Sequence, residues 1–339
     1  MLTAQKSFPQ LSKALGLATP VYFKREDLHP YLSHKGRSIP KMIEKYIKQG
    51  TLNFVISSSG NAALASAMFI CNYNQKHAKK LGLTIFIGEK IDKEKLKIIK
   101  AVIARSPDVK SGQRSNLTNN GIASLPAEAR NDNFIAIKQV PNPKQSAFLM
   151  DKHGEAKNLR QSTDDSALAG YYDLAKELTQ IKNLSAVFIP TSSGTTAQGL
   201  FEGFKKLKIC PQIHIVQTDF CHPMVNWIAS CPPSACASGA GRRASPPKAA
   251  PRNDKTSLAL AIVDKVAHRK TAVLKIIQDT NGGTWVADNS QIKSAINLIK
   301  KTANIAVSAN SALSVVGLQN ALKQNYKFNG PVACLITGK

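Results

Sequence analysis

Short runs of apolar residues alternate along this chain with longer stretches in which apolar residues recur at helical spacing. The runs with the length and composition of buried strands lie at residues 54–56, 83–87, 186–189, 213–216 and 332–336. Helical patterns lie at residues 62–73, 93–104, 196–207, 291–302 and 311–324. Because strands and helices alternate, the pattern predicts an α/β protein with largely parallel sheets.

Two stretches, residues 106–133 and 231–255, interrupt this alternation. Both are rich in Ala, Ser, Pro, Gly and Arg and carry Arg-Asn-Asp near their ends, whereas the surrounding chain favours Lys, Ile and Asn. We interpret them as loops inserted into an older gene, and the alternative is a pair of ordinary surface loops. In either case we expect loose, exposed segments that need not serve the chemistry.

Length and composition limit which kinds of protein this chain can be. The 339 residues suggest about two domains, and a hydrophobic share of 43% is enough for a globular core. No run approaches the ~18 apolar residues of a membrane span, and the N-terminal segment lacks a secretory pattern. We therefore expect a cytoplasmic protein with no membrane partner. Cys231 and Cys236 are the closest cysteine pair, but no second Cys or His pair follows, so no metal site is predicted.

The charge balance is strongly basic, with 46 Lys and Arg residues against 21 Asp and Glu and a net charge of +25. Such an excess raises the question of nucleic-acid binding. The basic residues are spread over several predicted helices, and no aromatic-rich basic motif organises them. We therefore expect no nucleic-acid partner and interpret the charge mainly as a compositional bias, to which the second insert-like stretch adds. A positive field would also help to attract an anionic cofactor or a phosphorylated substrate.

The strand at residues 186–189 leads into a loop of small polar residues and then into a helix. The loop reads Ser192-Ser193-Gly194-Thr195-Thr196. Small residues let backbone N–H groups approach an anion, and a helix N-terminus adds partial positive charge. The sequence thus predicts a phosphate-binding loop, although Ser and Thr also cap helices for structural reasons. The loop lacks the Gly-Lys-Ser/Thr ending of a nucleoside-triphosphate loop, which disfavours ATP chemistry.

Two other segments place polar groups beside predicted elements. The Ser-Ser-Gly-Asn sequence at residues 58–61 joins a strand to a helix, so its amides suit a carboxylate, with a simple helix cap as the alternative. Lys35 lies between Ser-His and Gly at residues 33–36. A Lys near a bound phosphate is what a Schiff base to an aldehyde cofactor requires, and the alternative is a solvated surface charge.

These segments, in this order, resemble the pyridoxal-phosphate enzymes of the tryptophan-synthase-β fold type, which include threonine synthase, cysteine synthase and threonine dehydratase. The Thr-Pro-Leu-like opening of that family corresponds to Thr-Pro-Val at residues 19–21, and its Ser-Phe-Lys motif to Ser-His-Lys at residues 33–35. Its Ser-Gly-Asn loop corresponds to residues 59–61, and its phosphate loop to residues 192–196. The resemblance spans the chain apart from the two insert-like stretches.

The resemblance implies an α/β fold of two three-layer αβα domains with mostly parallel sheets and the cofactor in the cleft between them. Residues 1–37 and 148–339 would form the larger, cofactor-binding domain. Residues 38–147 would form the smaller domain that carries the substrate loop.

The resemblance also implies a role for each matching residue. Lys35 would hold pyridoxal 5'-phosphate as a Schiff base and then move protons at the substrate α-carbon. The other cofactor-binding residues would be Asn61 at the ring hydroxyl, Ser192, Ser193, Gly194, Thr195 and Thr196 at the phosphate, and Thr337 at the pyridine nitrogen. The substrate carboxylate would be held by Ser58, Ser59, Gly60 and Ala62.

The expected activity is elimination or replacement at the β- or γ-carbon of a small amino acid, since a neutral hydroxyl at Thr337 does not enforce protonation of the ring. The ending Thr337-Gly338 is most similar to threonine synthase, and serine/threonine dehydratase and cysteine-synthase-type enzymes are the alternatives. From another class, the chain could be a basic nucleic-acid-associated protein or an inactive remnant on this scaffold. A small amino-acid substrate and a second copy in a homodimer are the expected partners.

Overall fold

The computed structural model describes residues 2–89, 93–104, 134–225 and 256–338. The chain divides into two compact units, one of Met1–Lys45 with Arg160–Lys339 and the other of Tyr46–Leu159. The domain limits expected from the sequence stay a prediction. The two insert-like stretches and the pair Cys231 and Cys236 lie outside the described residues.

The larger unit is built on a six-stranded sheet. Its strands are β1 (Gln5–Ser7), β2 (Val21–Arg25), β7 (Ala186–Pro190), β8 (Gln212–Thr218), β9 (Gly283–Ala287) and β10 (Val332–Ile336). The strand order is β1-β2-β10-β7-β8-β9, and all neighbours are parallel except β1 and β2. Strand β10, from the end of the chain, therefore lies between β2 and β7 at the centre of the sheet.

Helices cover both faces of this sheet. They are α1 (Pro9–Ala14), α2 (Lys35–Lys48, which continues into the smaller unit), α6 (Tyr172–Leu178), α7 (Thr195–Lys206), α8 (Lys270–Asp279), α9 (Asn289–Ala303) and α10 (Ala309–Lys323). Successive residues of β7 point to opposite faces, as the period of a strand requires. Ala186 and Phe188 pack in a core with side chains of α9 and α10, whereas Val187 and Ile189 pack with side chains of α6 and α7.

The smaller unit has its own sheet of four parallel strands. They are β3 (Asn53–Ser57), β4 (Gly82–Gly88), β5 (Ile135–Val140) and β6 (Lys157–Asn158), in the order β5-β4-β3-β6. Its helices are α3 (Asn61–Lys76), α4 (Lys93–Ala104) and α5 (Pro143–Lys152). Val55, Phe86, Ala147 and Ala156 belong to one buried apolar cluster of this unit.

The predicted α/β class with mostly parallel sheets is confirmed. The sequence pattern missed β2, because this strand ends in Lys and Arg and reads as a polar segment although Lys24 is only 1% exposed. No helix in the described part of the chain is long and apolar enough to cross a membrane. Likewise, the described residues contain no cluster of His, Cys, Asp and Glu that could hold a metal ion.

Candidate functional site

Three segments that are distant in sequence meet at one edge of the large sheet. Strand β2 leads through a short 3-10 helix to Lys35, the first residue of α2. Strand β10 leads to Thr337, and β7 leads to the loop at residues 191–194. Since β2, β10 and β7 are parallel neighbours, their carboxyl ends lie along the same edge, where ligands bind in open α/β sheets.

His34 joins the segment of Lys35 directly to that of Thr337. The backbone N–H of His34 donates to the backbone oxygen of Thr337 at 2.9 Å, and its ring Nδ1 donates to the same oxygen at 2.8 Å. Ser33 and Gly338 form an adjacent antiparallel bridge. Lys35 itself is half-buried, and no described residue bonds its Nζ.

His34 is neutral around physiological pH. Burial, followed by the neighbouring charge of Lys35, lowers the pKa of its ring to about 3. The neutral ring carries its proton on Nδ1, because that atom donates to the backbone oxygen of Thr337. The ring of His34 therefore adds a side-chain hydrogen bond between the segment of Lys35 and that of Thr337.

The surroundings of Thr337 consist of hydroxyl groups. Its Oγ1 lies 3.4 Å from Oγ of Ser311, the third residue of α10. Ser311 donates to the backbone oxygen of Gly338 at 2.8 Å, and Ser308 donates to the same oxygen at 2.8 Å. Thr337 therefore keeps its proton for Ser311 or for a ligand acceptor. Sequence reasoning missed Ser311, which carries no motif of its own.

A crowded glycine with positive φ lies in the phosphate loop, directly before α7. Gly194 has φ +89° and caps α7, and an added Cβ would lie 2.6 Å from Val273 Cγ2 and 3.1 Å from Met224 Cε. The first helical hydrogen bond of α7 runs from the N–H of Gln198 to the oxygen of Gly194 at 3.0 Å. The N–H groups before Gln198 thus lie outside the helical ladder, as anion binding requires.

The hydroxyl groups of the loop differ in where their protons are directed. Ser192 Oγ accepts hydrogen bonds from the N–H groups of Val263 and Asp264, both at 3.2 Å, so its own proton is directed elsewhere. Ser193 Oγ lies 2.9 Å from Thr195 Oγ1, and Thr195 donates to a backbone oxygen. Ser193 therefore donates to Thr195, which leaves Ser192 as the better donor to an anion. Thr196 is buried in the first turn of α7.

The substrate loop at residues 58–61 follows β3 of the smaller unit and leads into α3. Gly60 caps this helix without a side-chain hydrogen bond, and its N–H donates to Ser58 Oγ at 3.2 Å. Ser59, Asn61 and Ala62 are half-buried. None of the described residues bonds the side-chain amide of Asn61.

A cluster of buried charges lies behind the segment of Lys35, and the sequence did not reveal it. Arg37 donates to Glu26 at 2.8 Å and to Glu177 at 2.5 Å, and Lys24 donates to Glu177 at 2.5 Å. Thr3 adds a hydroxyl bond to Glu26 at 2.5 Å. All of these side chains are less than a tenth exposed. The two positive and two negative charges balance, which buried ionic groups require.

The pKa values of Glu177 and Arg37 are shifted toward the charged forms, whereas burial lowers the pKa of Lys24 against the opposing bond to Glu177. Burial acts to raise the pKa of Glu177, but hydrogen bonds from Arg37 and Lys24 outweigh it and lower this pKa to about 2. Burial acts to lower the pKa of Arg37, yet its bonds to Glu26 and Glu177 raise it above the ordinary value. Arg37 lies two residues after Lys35, so the cluster anchors the first turn of the helix that carries the candidate Schiff-base lysine.

Two glycines allow this first turn to pack closely. An added Cβ at Gly36 would lie 2.5 Å from the ring of His29, and one at Gly170 would lie 2.1 Å from the backbone oxygen of Arg37. Any side chain at position 36 would displace His29, so packing explains the glycine.

A comparison of the sequence with protein families matches it over residues 6–338 to the family described as pyridoxal-phosphate dependent enzyme. No curated protein sequence matches the chain.

Solved structures share the fold at low sequence identity. A pyridoxal 5'-phosphate-dependent aspartate racemase is 16% identical, with a TM-score of 0.72 over 100% of this chain and 90% of that chain. The processed form of threonine deaminase isoform 2 from Solanum lycopersicum is 18% identical, with a TM-score of 0.71 over 99% and 78%. An O-acetylserine dependent cystathionine beta-synthase from Helicobacter pylori is 18% identical, with a TM-score of 0.68 over 99% and 92%. At these identities the likeness shows the fold alone.

Proposed function

Because the chain belongs to the family of pyridoxal-phosphate-dependent enzymes, we propose that it catalyses elimination or replacement at the β- or γ-carbon of a small amino acid. Its cofactor is pyridoxal 5'-phosphate, and amino acids are its class of substrate. The reaction type and the residues that perform it are the proposal.

The residues of the larger unit fit this cofactor. The hydroxyl of Ser33, two residues before Lys35, is fully buried, and no described residue bonds it. Such a group is costly unless a ligand satisfies it. The half-buried amine of Lys35 and the N–H groups that precede Gln198 in the phosphate loop likewise remain available to a ligand.

Each part of the site has a separate task in the proposed reaction. Bound pyridoxal phosphate withdraws electrons from the bonds of the substrate α-carbon. Lys35 attaches the cofactor and then carries the α-proton away from, or back to, the substrate. Residues 192–196 bind the phosphate, with Ser192 as a preset hydroxyl donor. In the smaller unit, Asn61 binds the ring hydroxyl, and Ser58, Ser59, Gly60 and Ala62 hold the substrate carboxylate.

The hydroxyl pair of Thr337 and Ser311 carries the assignment of reaction type. A carboxylate facing the pyridine nitrogen would hold a proton on the ring, whereas a hydroxyl exchanges a hydrogen bond without adding charge. No carboxylate in the described part of the chain hydrogen-bonds either hydroxyl. We infer that the ring nitrogen is not held protonated, which suits elimination and replacement.

A substrate panel tests the proposal. Purified protein is incubated with pyridoxal phosphate and with L-serine, L-threonine, O-acetylserine or O-phosphohomoserine, and release of ammonia, keto acid, acetate or phosphate is measured. We expect turnover of at least one substrate, and we expect Lys35→Ala to abolish both turnover and the visible absorbance of the lysine Schiff base. Lys45→Ala, on an exposed turn of the same helix, is the control and should retain both.

The panel also separates the alternatives. Phosphate release from O-phosphohomoserine would support the threonine synthase-like activity that the sequence favoured. Cofactor binding without turnover of any substrate would contradict the proposal and favour an inactive remnant. A colourless protein that takes up no pyridoxal phosphate would overturn the assignment of Lys35. The homodimer and the cytoplasmic location stay predictions.

A further inference from the structure

Gln161 connects the helix that begins with Lys35 to the loop that we assign to the cofactor phosphate. Its side-chain amide donates a hydrogen bond to the hydroxyl of Ser38, which lies one turn along α2 from Lys35. Its backbone oxygen accepts a hydrogen bond from the hydroxyl of Thr195, the first residue of α7, at 3.2 Å. One residue therefore holds both segments, and all of them lie within the larger unit.

The side-chain end of this connection is buried and has no room to change partners. Gln161 is 9% exposed and Ser38 is fully buried. Ser38 Oγ also lies 3.2 Å from the hydroxyl of Tyr171 and 3.5 Å from the backbone oxygen of Lys35. The Ser38 hydroxyl accepts hydrogen bonds from Gln161 and Tyr171 and donates its own proton toward the backbone oxygen of Lys35. Each of these three bonds thus has one donor and one acceptor.

The backbone end of the connection is fixed by Arg269. This guanidinium donates to the oxygen of Gln161 from Nε at 3.3 Å and from Nη2 at 3.0 Å. Its Nη1 donates to Gln198 of α7 at 2.9 Å and to Asp165 at 2.8 Å. Because Arg269 is only 6% exposed, its bonds to the oxygen of Gln161 are shielded from water, whereas the carboxylate of Asp165 is exposed. The position of Gln161 relative to α7 is thereby set by several bonds rather than one.

We propose that Gln161 is a positioning residue that sets the spacing between Lys35 and the phosphate loop. This inference rests on the proposed function, in which the cofactor is attached at both places. A ligand held at two points gains affinity only when the points are spaced to its length. Gln161 contacts the phosphate loop directly through Thr195, and it reaches Lys35 only through Ser38.

The variant Gln161→Met tests the proposal. It keeps the length of the side chain and the backbone oxygen that Thr195 bonds, and it removes only the amide donor to Ser38. The cofactor-free protein is titrated with pyridoxal 5'-phosphate, which needs both attachment points, and separately with pyridoxal and with inorganic phosphate, which each need one. We expect the affinity for pyridoxal 5'-phosphate to fall about tenfold and the other two affinities to stay within about twofold.

Two comparisons exclude a general structural effect. A loss of packing alone would weaken all three ligands alike, and the exposed control Gln180→Met in the same unit should change none of them. Ser38→Ala removes the other side of the same bond, so it should mimic Gln161→Met, and the double variant should be no worse than either single variant.

The result that would overturn the inference is a ratio of pyridoxal 5'-phosphate to pyridoxal affinity that is unchanged in Gln161→Met. Failure of the unmodified protein to bind pyridoxal 5'-phosphate through Lys35 would instead overturn the proposed function, and this inference with it. The titrations of the unmodified protein and of Lys35→Ala reveal that failure independently of Gln161.

Discussion

Two strand–loop–helix turns, one in each unit, look alike in sequence and differ in their surroundings. The phosphate loop of the larger unit ends at Gly194, which has φ +89° and is packed against Val273 and Met224. The substrate loop of the smaller unit ends at Gly60, which has φ −127° and would meet no atom within 4 Å if it carried a Cβ. We call the phosphate loop the embedded loop, because Gly194 is packed against side chains, and the substrate loop the open loop, because Gly60 has free space beside it.

This difference matches the two ligands that we assign to the loops. A cofactor phosphate is the same in every reaction cycle, so a loop whose backbone and hydroxyl groups are already in place loses little entropy on binding. A substrate enters and leaves in each cycle, and its loop needs space. The embedded loop is further supported by Arg269, whose guanidinium bonds the same backbone oxygen of Gln161 that Thr195 bonds. In the open loop, the N–H of Gly60 donates to Ser58 Oγ.

The largest expected effect is that of Gly194→Ala. The left-handed backbone and the overlap with Val273 together should lower the free energy of unfolding by about 2–4 kcal/mol, measured by urea denaturation of the cofactor-free protein. Gly16→Ala is the matched control, since Gly16 also has positive φ but no atom within 4 Å, and it should cost only about 1–2 kcal/mol. Equal losses in both variants would show that crowding at Gly194 is not significant.

The counterpart Gly60→Ala should leave the free energy of unfolding within about 0.5 kcal/mol of the unmodified value. Its new methyl group would occupy the space that we assign to the substrate carboxylate, so KM should rise while the affinity for pyridoxal 5'-phosphate stays the same. A large loss of stability in this variant would contradict the contrast between the two loops.

The next largest effect concerns how the free energy of unfolding depends on pH, and it comes from His34. The pKa of His34 is about 3 in the folded protein, against an ordinary value of 6.5, so below pH 6.5 the unfolded chain binds a proton that the folded chain does not. Stability contributed by neutral His34 is therefore lost as the pH falls from 6.5 toward 3. His34→Phe should reduce the slope of stability with pH between 6 and 4.5 by about 1.4 kcal/mol per unit.

Denaturation curves at several pH values measure this slope. At pH 7.5 the variant should be less stable by about 1 kcal/mol, because the bond from the His34 ring to Thr337 is lost. Because the linkage loss exceeds this difference, the two curves should cross at about pH 6, and the variant should be the more stable protein below that pH. Parallel curves over the whole range would contradict a His34 that stays neutral in the folded protein.

The smallest expected effects come from removing one serine hydroxyl in each loop. Ser192→Ala removes the preset donor and should weaken binding of pyridoxal 5'-phosphate by about fivefold, roughly 1 kcal/mol, as measured by equilibrium dialysis. Ser58→Ala is the matched change in the open loop and should leave cofactor affinity unchanged while raising KM for the amino acid. Equal effects of both variants on cofactor affinity would contradict the assignment of the cofactor phosphate to one loop and of the substrate carboxylate to the other.

Local patterns predicted much of the fold. The five apolar runs correspond to β3, β4, β7, β8 and β10, and the helix over 93–104 has the predicted limits. The pattern did not reveal strand β2, because Lys24 and Arg25 are residue types that are usually exposed. The carboxylate of Glu177 and the backbone oxygen of Thr3 make a buried Lys24 tolerable. A partner that lies far away in sequence leaves no periodic signal near the residue it stabilises.

The residues of the candidate site were likewise predictable from the sequence only where they belong to a local motif. Lys35, residues 58–62 and residues 192–196 stand in motifs whose small residues and strand-to-helix position are visible locally. Ser311 and Gln161 stand in none, and their contributions come from the residues that the fold brings to them.

The α/β class, the order of the motifs and the chemistry that each motif can perform follow from residue type and short-range spacing, so they are visible in the sequence. The position of β10 between β2 and β7, which brings Thr337 beside the segment of Lys35, follows from the folded sheet. The tertiary structure also decided which loop is embedded and which is open. Burial, hydrogen-bond partners and the balance of buried charge arise from contacts between distant segments, and these contacts exist only once the chain has folded.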